Sequence, residues 1–260
     1  MKRQPALFVS HGSPTLPLER GPAVDFLRSL GGKLERPAAI LSVSAHWDTD
    51  RPAVSAAKNP ETIYDFYGFP PELYRLRYPA PGAPQLAGRV SKLLEGRGMK
   101  TDIDPGRGLD HGAWTSLYHM YPEADIPVTQ LSIQSHLGPA HHVKLGEALR
   151  PLRDEGVLIM ASGGATHNLG ELRFHRGSTI AQPWTVEFNE WLADALLARR
   201  TDELVSYRTI APQAVRNHPT DEHLIPVFVA LGAGDAGGAT QRLHTSISSG
   251  VISMDAYRFD

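Results

Sequence analysis

Short apolar runs alternating with stretches of helical periodicity constrain this chain more than any other feature. Ala6–Ser10 reads as a buried strand. Residues 22–30 follow with Val24, Phe26, Leu27 and Leu30 as a helical apolar face, and 38–44 form a second apolar run. Leu86, Val90, Leu93 and Leu94 recur at i, i+4, i+7 and i+8, which is one side of an amphipathic helix. Val128–Ile133 reads as a strand, then a helix carries Val143, Leu145, Ala148, Leu149 and Leu152, and 157–161 form the next strand. A later helix over 184–197 presents Trp184, Phe188, Trp191, Leu192 and Leu196 together. Strands alternating with helices of this length imply a mostly parallel central sheet flanked by helices on both faces. Residues 251–259 partly alternate and read as an added edge strand. No linker of disordered composition divides the chain, so one α/β domain over residues 1–260 is expected.

Composition narrows the functions open to such a domain. With 41% hydrophobic and 21% charged residues and a net charge of −2, there is no basic surplus for nucleic acid and no acidic tail. The apolar stretch near the N-terminus is too short for a signal-peptide core, and nowhere do about 18 apolar residues run together. The expected location is the cytoplasm. There is no cysteine, which excludes disulfides and thiolate metal sites, but there are twelve histidines. Imidazole is the commonest protein ligand for metals such as zinc.

Several of those histidines stand where open α/β sheets bind ligands, beyond the carboxyl ends of strands. His11 directly follows the first strand, ahead of a Gly12-Ser13-Pro14 turn. His46, in Ser44-Ala45-His46-Trp47, lies two residues beyond the second. His167 follows the turn Ser162-Gly163-Gly164, which lacks the Lys of a phosphate-binding loop. His111 sits where a loop enters a helix, with Asp110 as its N-cap. His218, Asp221, Glu222 and His223 precede a helical run, and spacing alone does not choose a ligand among them. One of His136, His141 and His142 could line the same end of the sheet. Six aromatics between Tyr64 and Tyr78 suggest an ordered loop packed over a site. From the residues alone, the expectation is a mononuclear metalloenzyme.

The motifs together are more specific. His11-Gly12-Ser13-Pro14, Ser44-Ala45-His46-Trp47, Tyr64-Asp65-Phe66-Tyr67-Gly68-Phe69-Pro70, Tyr78-Pro79-Ala80-Pro81-Gly82, Leu109-Asp110-His111-Gly112-Ala113-Trp114, Thr166-His167-Asn168-Leu169 and Pro219-Thr220-Asp221-Glu222-His223 occur in this order. The set resembles the DODA-type extradiol aromatic ring-opening dioxygenases, the 4,5-DOPA dioxygenase-like branch of the class III, LigB-type enzymes. The likeness runs from residue 6 to about residue 231. It implies a LigB-like fold and one divalent metal held by His11, His46 and His223. It places His167 at the same centre, as a fourth ligand or as the acid–base group, and His111 against the substrate. It implies a small aromatic diol and O2 as reactants, with Fe(II) for ring opening. The better-known LigB enzymes carry two histidines and a glutamate, and this chain places His223 at the carboxylate's position. An all-imidazole set also suits Zn(II). A zinc hydrolase, or a catalytically silent metal-binding protein on the same fold, is therefore the alternative expectation. The oligomeric state and the particular catechol are not legible.

Overall fold

The computed structural model describes residues 2–260. Its main sheet contains β1 (Ala6–Ser10), β2 (Ala39–Asp48), β3 (Ala53–Ser55), β4 (Asp102–Asp104), β5 (Val128–Ile133), β6 (Val157–Gly163) and β7 (Thr240–His244). After β7 come a small ribbon of β8 (Ile247–Ser248) and β9 (Ile252–Ser253), then β10 (Ala256–Phe259), which returns to the main sheet. The strand order is β4-β3-β5-β2-β6-β1-β10-β7. β5, β2, β6 and β1 pair in parallel and form the centre. β3 pairs antiparallel to β5, and β10 antiparallel to β1 and β7.

Strand side chains alternate between two apolar layers, as the period of two requires. Phe8, Leu41, Val43, Ile159 and Ala161 face one layer, and Leu7, Val9, Ile40, Leu158 and Met160 the other. The first layer is closed by α2 (Pro84–Glu95), α4 (Gly138–Leu149), much of α7 (Pro183–Leu197) and α11 (Ile225–Ala233). The second is closed by α1 (Pro22–Lys33), α3 (His111–Met120) and the aromatic segment around Tyr64 to Tyr78. The shorter helices are α5 (Pro151–Asp154), α6 (Leu169–His175), α8 (Thr201–Val205), α9 (Tyr207–Ile210) and α10 (Ala214–Asn217). The architecture is the expected mostly parallel sheet between helical layers.

Two strand readings need correction. β2 does not stop at Ser44 but runs on through His46 to Asp48. Between its pairings Val43↔Leu131 and Asp48↔Ile133, β2 advances five residues (48 − 43) while β5 advances two (133 − 131). The three extra residues form a bulge that hides the end of the strand from a reading by apolarity. The C-terminal strand is not an edge. β10 lies between β1 and β7, and Tyr257 and Phe259 are fully buried in the first layer. No helix among the described residues is long and apolar enough to cross a membrane.

Candidate metal centre

The carboxyl ends of β1, β2 and β6 deliver the site. The chain leaves β1 at His11, whose backbone N–H donates to the Gly163 carbonyl at the end of β6 (3.0 Å). The bulge in β2 turns His46 toward His11, and their Nε2 atoms are 3.0 Å apart. His223 arrives from the turn before α11, with its Nε2 3.3 Å from that of His46. Two glycines make this approach possible. A Cβ at Gly112 would stand 2.4 Å from Ser44 Oγ, 3.0 Å from His46 Cδ2 and 3.3 Å from His11 Nδ1. A Cβ at Gly163 would stand 2.1 Å from the carbonyl oxygen of His223. Neither gap admits a side chain.

Hydrogen bonds assign the tautomers. Ser162 Oγ–H donates to the Gly112 carbonyl (2.5 Å), so toward His11 Nδ1 (3.0 Å) it can only accept. His11 therefore carries its proton on Nδ1. His223 Nδ1 faces Glu222 Oε1 at 3.0 Å, and His46 Nδ1 faces Asp65 Oδ2 at 3.5 Å. A hydrogen-bonded oxygen thus stands at Nδ1 of His11 and of His223, and a carboxylate oxygen lies near Nδ1 of His46. Three bare Nε2 lone pairs are left facing one another, an arrangement that repels unless a cation lies among them.

The spacing suits such a cation. Metal–nitrogen bonds of about 2.0–2.1 Å put neighbouring ligand nitrogens about 2.8–3.4 Å apart, for bond angles between octahedral and tetrahedral. The 3.0 and 3.3 Å separations fall in that interval. The potential ligand atoms of His11, His46 and His223 all lie within 4.8 Å of one another. Burial pushes His11 and His223 well below the ordinary imidazole range, and the neighbouring imidazoles add to this. Burial likewise holds His46 down at about 3, with His111 adding to the effect and Asp65 opposing it. Neutral imidazole is the form that binds metal.

Two further histidines flank the triad. His111 opens α3, and its ring centre is 3.9 Å from that of His46. Asp65 Oδ1 accepts from both the His111 backbone N–H (3.0 Å) and His111 Nδ1–H (2.9 Å). Burial raises the Asp65 carboxyl, but the hydrogen bonds it accepts from His111 oppose this, and the net direction is down. α3 itself is anchored by Asp110, which accepts from Ala113 N–H, Ser44 Oγ–H (2.6 Å) and Gln130 Nε2 (2.8 Å). His167 lies on the opposite flank. Its ring stacks on His223 at 3.4 Å between centres and 7° between planes. It groups with Glu222 and His223, whereas His11 and His46 group with His223, and His46 groups also with Asp65 and His111. Its ring makes no hydrogen bond to protein among the described residues, and burial lowers it to about 4.

The remaining candidates sort by their partners. His218 is fully buried and donates from Nε2 to the Ala165 carbonyl (2.9 Å). His142 donates to the Gly138 carbonyl and accepts from Gln134 N–H, so it braces the end of β5. His141 bonds Gln134 Oε1. Neither of these two joins the cluster. Asp221 bonds Arg208 and Tyr207 rather than the centre. In the aromatic segment, Phe66 sets its ring edge-on to His111 at 5.6 Å and packs on Phe69 and Tyr74. Asp65 and Ser162 carry no weight in the sequence-based reading, although both belong to segments it singles out.

Residues 5–259 match the family model described as the catalytic LigB subunit of aromatic ring-opening dioxygenase. A protein of Beta vulgaris named 4,5-DOPA dioxygenase extradiol is 47% identical, over 97% of this chain and 95% of that one. One of the same name from Escherichia coli K12 is 42% identical, over 97% and 93%. A crystal structure of an uncharacterized Escherichia coli K12 protein superposes with a TM-score of 0.82 at 36% identity, covering 99% of this chain and all of that one. With its whole sheet and its histidine centre inside the matched region, this chain belongs to the LigB family of aromatic ring-opening dioxygenases.

Proposed function

We propose that the chain is a metal-dependent extradiol dioxygenase that opens a catechol-type ring, with both atoms of O2 entering a semialdehyde product. The observation that carries this reading is the meeting of three bare imidazole nitrogens, from residues 11, 46 and 223, at the rim of the sheet. Those three residues would hold one divalent ion. When bound, such an ion supplies Lewis acidity toward both diol oxygens and, as Fe(II), a route for electrons from diol to O2. Fe(II) is the metal assigned to turnover here. Zn(II) fits the same nitrogens and would give a bound but redox-silent site. The family and the names of the relatives favour ring opening over a zinc hydrolase or a silent metal-binding protein.

His167 is given the acid–base role rather than that of a fourth ligand. It is neutral in the buried site, its ring nitrogens have no protein hydrogen-bond partner among the described residues, and it lies against His223. It can therefore accept a hydroxyl proton as the diol arrives and return it to the product, work that general bases do for about 100- to 10,000-fold in rate. A diol anion beside the imidazole opposes the burial that lowers its pKa. His111, held by Asp65, offers Nε2 on the other flank of the triad. Phe66, with Phe69 and Tyr74 behind it, supplies apolar edges that exclude water and can pack a flat ring.

The test is reconstitution with Fe(II) in the absence of air, followed by O2 uptake with a panel of catechols headed by DOPA, the compound in the relatives' names. One O2 consumed per ring opened is expected. An iron-replete protein that consumes no O2 with any diol would overturn the reading.

A further inference from the structure

We infer that Asp65 is a positioning residue, which holds His111 in one tautomer and fastens the aromatic rim of the site to its metal rim. The inference rests on the ring-opening reading for its consequence in turnover, but its geometry stands apart from that reading. The aromatic segment lies alongside the chain entering α3. Leu109 N–H donates to the Glu61 carbonyl and Ile63 N–H to the Leu109 carbonyl, both at 2.8 Å, around the parallel bridge Thr62↔Leu109. Trp114 Nε1 then donates to the Ile63 carbonyl at 3.0 Å. Two residues further on, backbone pairing stops and Asp65 takes over. Its Oδ1 accepts the backbone N–H of His111, one of the N–H groups at a helix start that have no partner within the helix. The same oxygen accepts the Nδ1 proton of the His111 ring, and Oδ2 stands 3.5 Å from His46 Nδ1.

One carboxylate therefore faces two adjacent imidazoles. A single ring proton held on Nδ1 by this contact leaves Nε2 of His111 bare. The opposite tautomer would leave the carboxylate against a bare Nδ1 lone pair and put a proton on Nε2. Asp65 also stands next to Phe66, whose ring lies nearly perpendicular to that of His111 with 5.6 Å between centres. A shift of the aromatic segment that moved Phe66 would have to break the carboxylate's bonds to His111. The apolar wall against the substrate and the orientation of His111 are thereby set by the same side chain.

A helix cap alone would give Asp65 a purely structural role, so the test must separate capping from positioning. In Asp65→Asn, the amide oxygen still accepts the His111 backbone N–H. The charge is gone, and the amide N–H2 competes to donate where the His111 ring donates or points its protons at His46 Nδ1, 3.5 Å away. Such partners of site histidines typically change function by about 10- to 100-fold. The expected result is a fall of about tenfold or more in kcat/KM with unchanged metal content and unchanged thermal midpoint. In a His111→Ala background, Asp65→Asn is expected to lose most of its effect on kcat/KM, keeping only what the longer 3.5 Å contact to His46 contributes. A structural role would instead give the same loss in both backgrounds. A readout free of turnover is the imidazole 15N spectrum of the zinc-loaded wild-type protein, with His111 expected protonated at Nδ1. Three results would overturn the inference: an Nε2-protonated His111, an Asp65→Asn variant within about twofold of wild type, or additive losses in the double variant. If no catechol is turned over by the wild type, the ring-opening reading fails, while the 15N spectrum still decides the role of Asp65.

Discussion

His111 and His167 stand on opposite flanks of the same three nitrogens, and they are held in opposite ways. His111 is 4% exposed, opens a ten-residue helix, and gives two hydrogen bonds to Asp65. Behind it, Gly112 lets α3 press on Ser44, His46 and His11. His167 is half-buried, touches the centre by stacking on His223, and leads directly into α6, a helix with no buried residue. Leu169, Phe174 and Ile180 beyond it are exposed. The fold thus fixes one flank with packing and leaves the other with few restraints. A fixed imidazole suits orientation of a bound molecule, and a less restrained one suits a proton that must be taken and returned.

The contrast can be broken most severely at Gly112. Gly112→Ala forces a methyl group to within 2.4 Å of Ser44 Oγ and against the His46 ring. Misplacement of catalytic groups on the ångström scale costs on the order of 100-fold in rate. Gly112→Ala is expected to lose at least about that much activity together with metal affinity, read by metal titration and O2 uptake. Normal metal binding by this variant would show that the tight flank is not tight.

His167→Ala probes the other flank. Here kcat is expected to fall by about 100- to 10,000-fold while one metal per chain is retained. Loss of metal in this variant would instead make His167 a ligand and erase the distinction between the flanks.

Stability against pH sharpens the comparison, because Asp65 on one flank and His167 on the other titrate in different windows. Burial holds His167 and His218 at about 4, against an ordinary value of 6.5. Between these limits the unfolded chain binds protons that the folded chain refuses, so metal-free protein loses stability as pH falls from about 6.5 to about 4. Each group contributes on the order of 3 kcal/mol over that window. The Asp65 carboxyl is lowered in the folded state, so its contribution is present above its ordinary 3.8 and is lost only at lower pH. Thermal midpoints of metal-free wild type and His218→Ala across pH 4 to 7 check this, with a shallower slope expected for the variant. The smallest effect belongs to the exposed edge of α6. Phe174 is 71% exposed, and Phe174→Ala is expected to shift unfolding by no more than about 0.5 kcal/mol in denaturant titration.

Much of the frame was legible because apolar runs announce strands that are buried on both faces. β1 and β5 occupy the spans that the runs at Ala6–Ser10 and Val128–Ile133 mark. The period of the apolar residues likewise places α2 and α7. The bulge at His46 was not legible, because Ser44, Ala45 and His46 end the apolar pattern while the backbone stays in the sheet. The interior place of β10 was hidden for a related reason. It alternates like an edge, yet β7 covers its far side. At the site, histidines near strand ends stood out by residue type. Their partners did not: Asp65 lies 46 positions from His111, inside a segment that reads as a loop, and Ser162 reads as part of a glycine-rich turn. Such pairings exist only once the chain is folded.

The convergence of His11, His46 and His223 on one cation is tested most directly by anaerobic metal titration of wild type, His46→Ala and His218→Ala. The account predicts one tightly bound ion per chain in wild type and in His218→Ala, and none in His46→Ala. A full complement of metal in His46→Ala would contradict it.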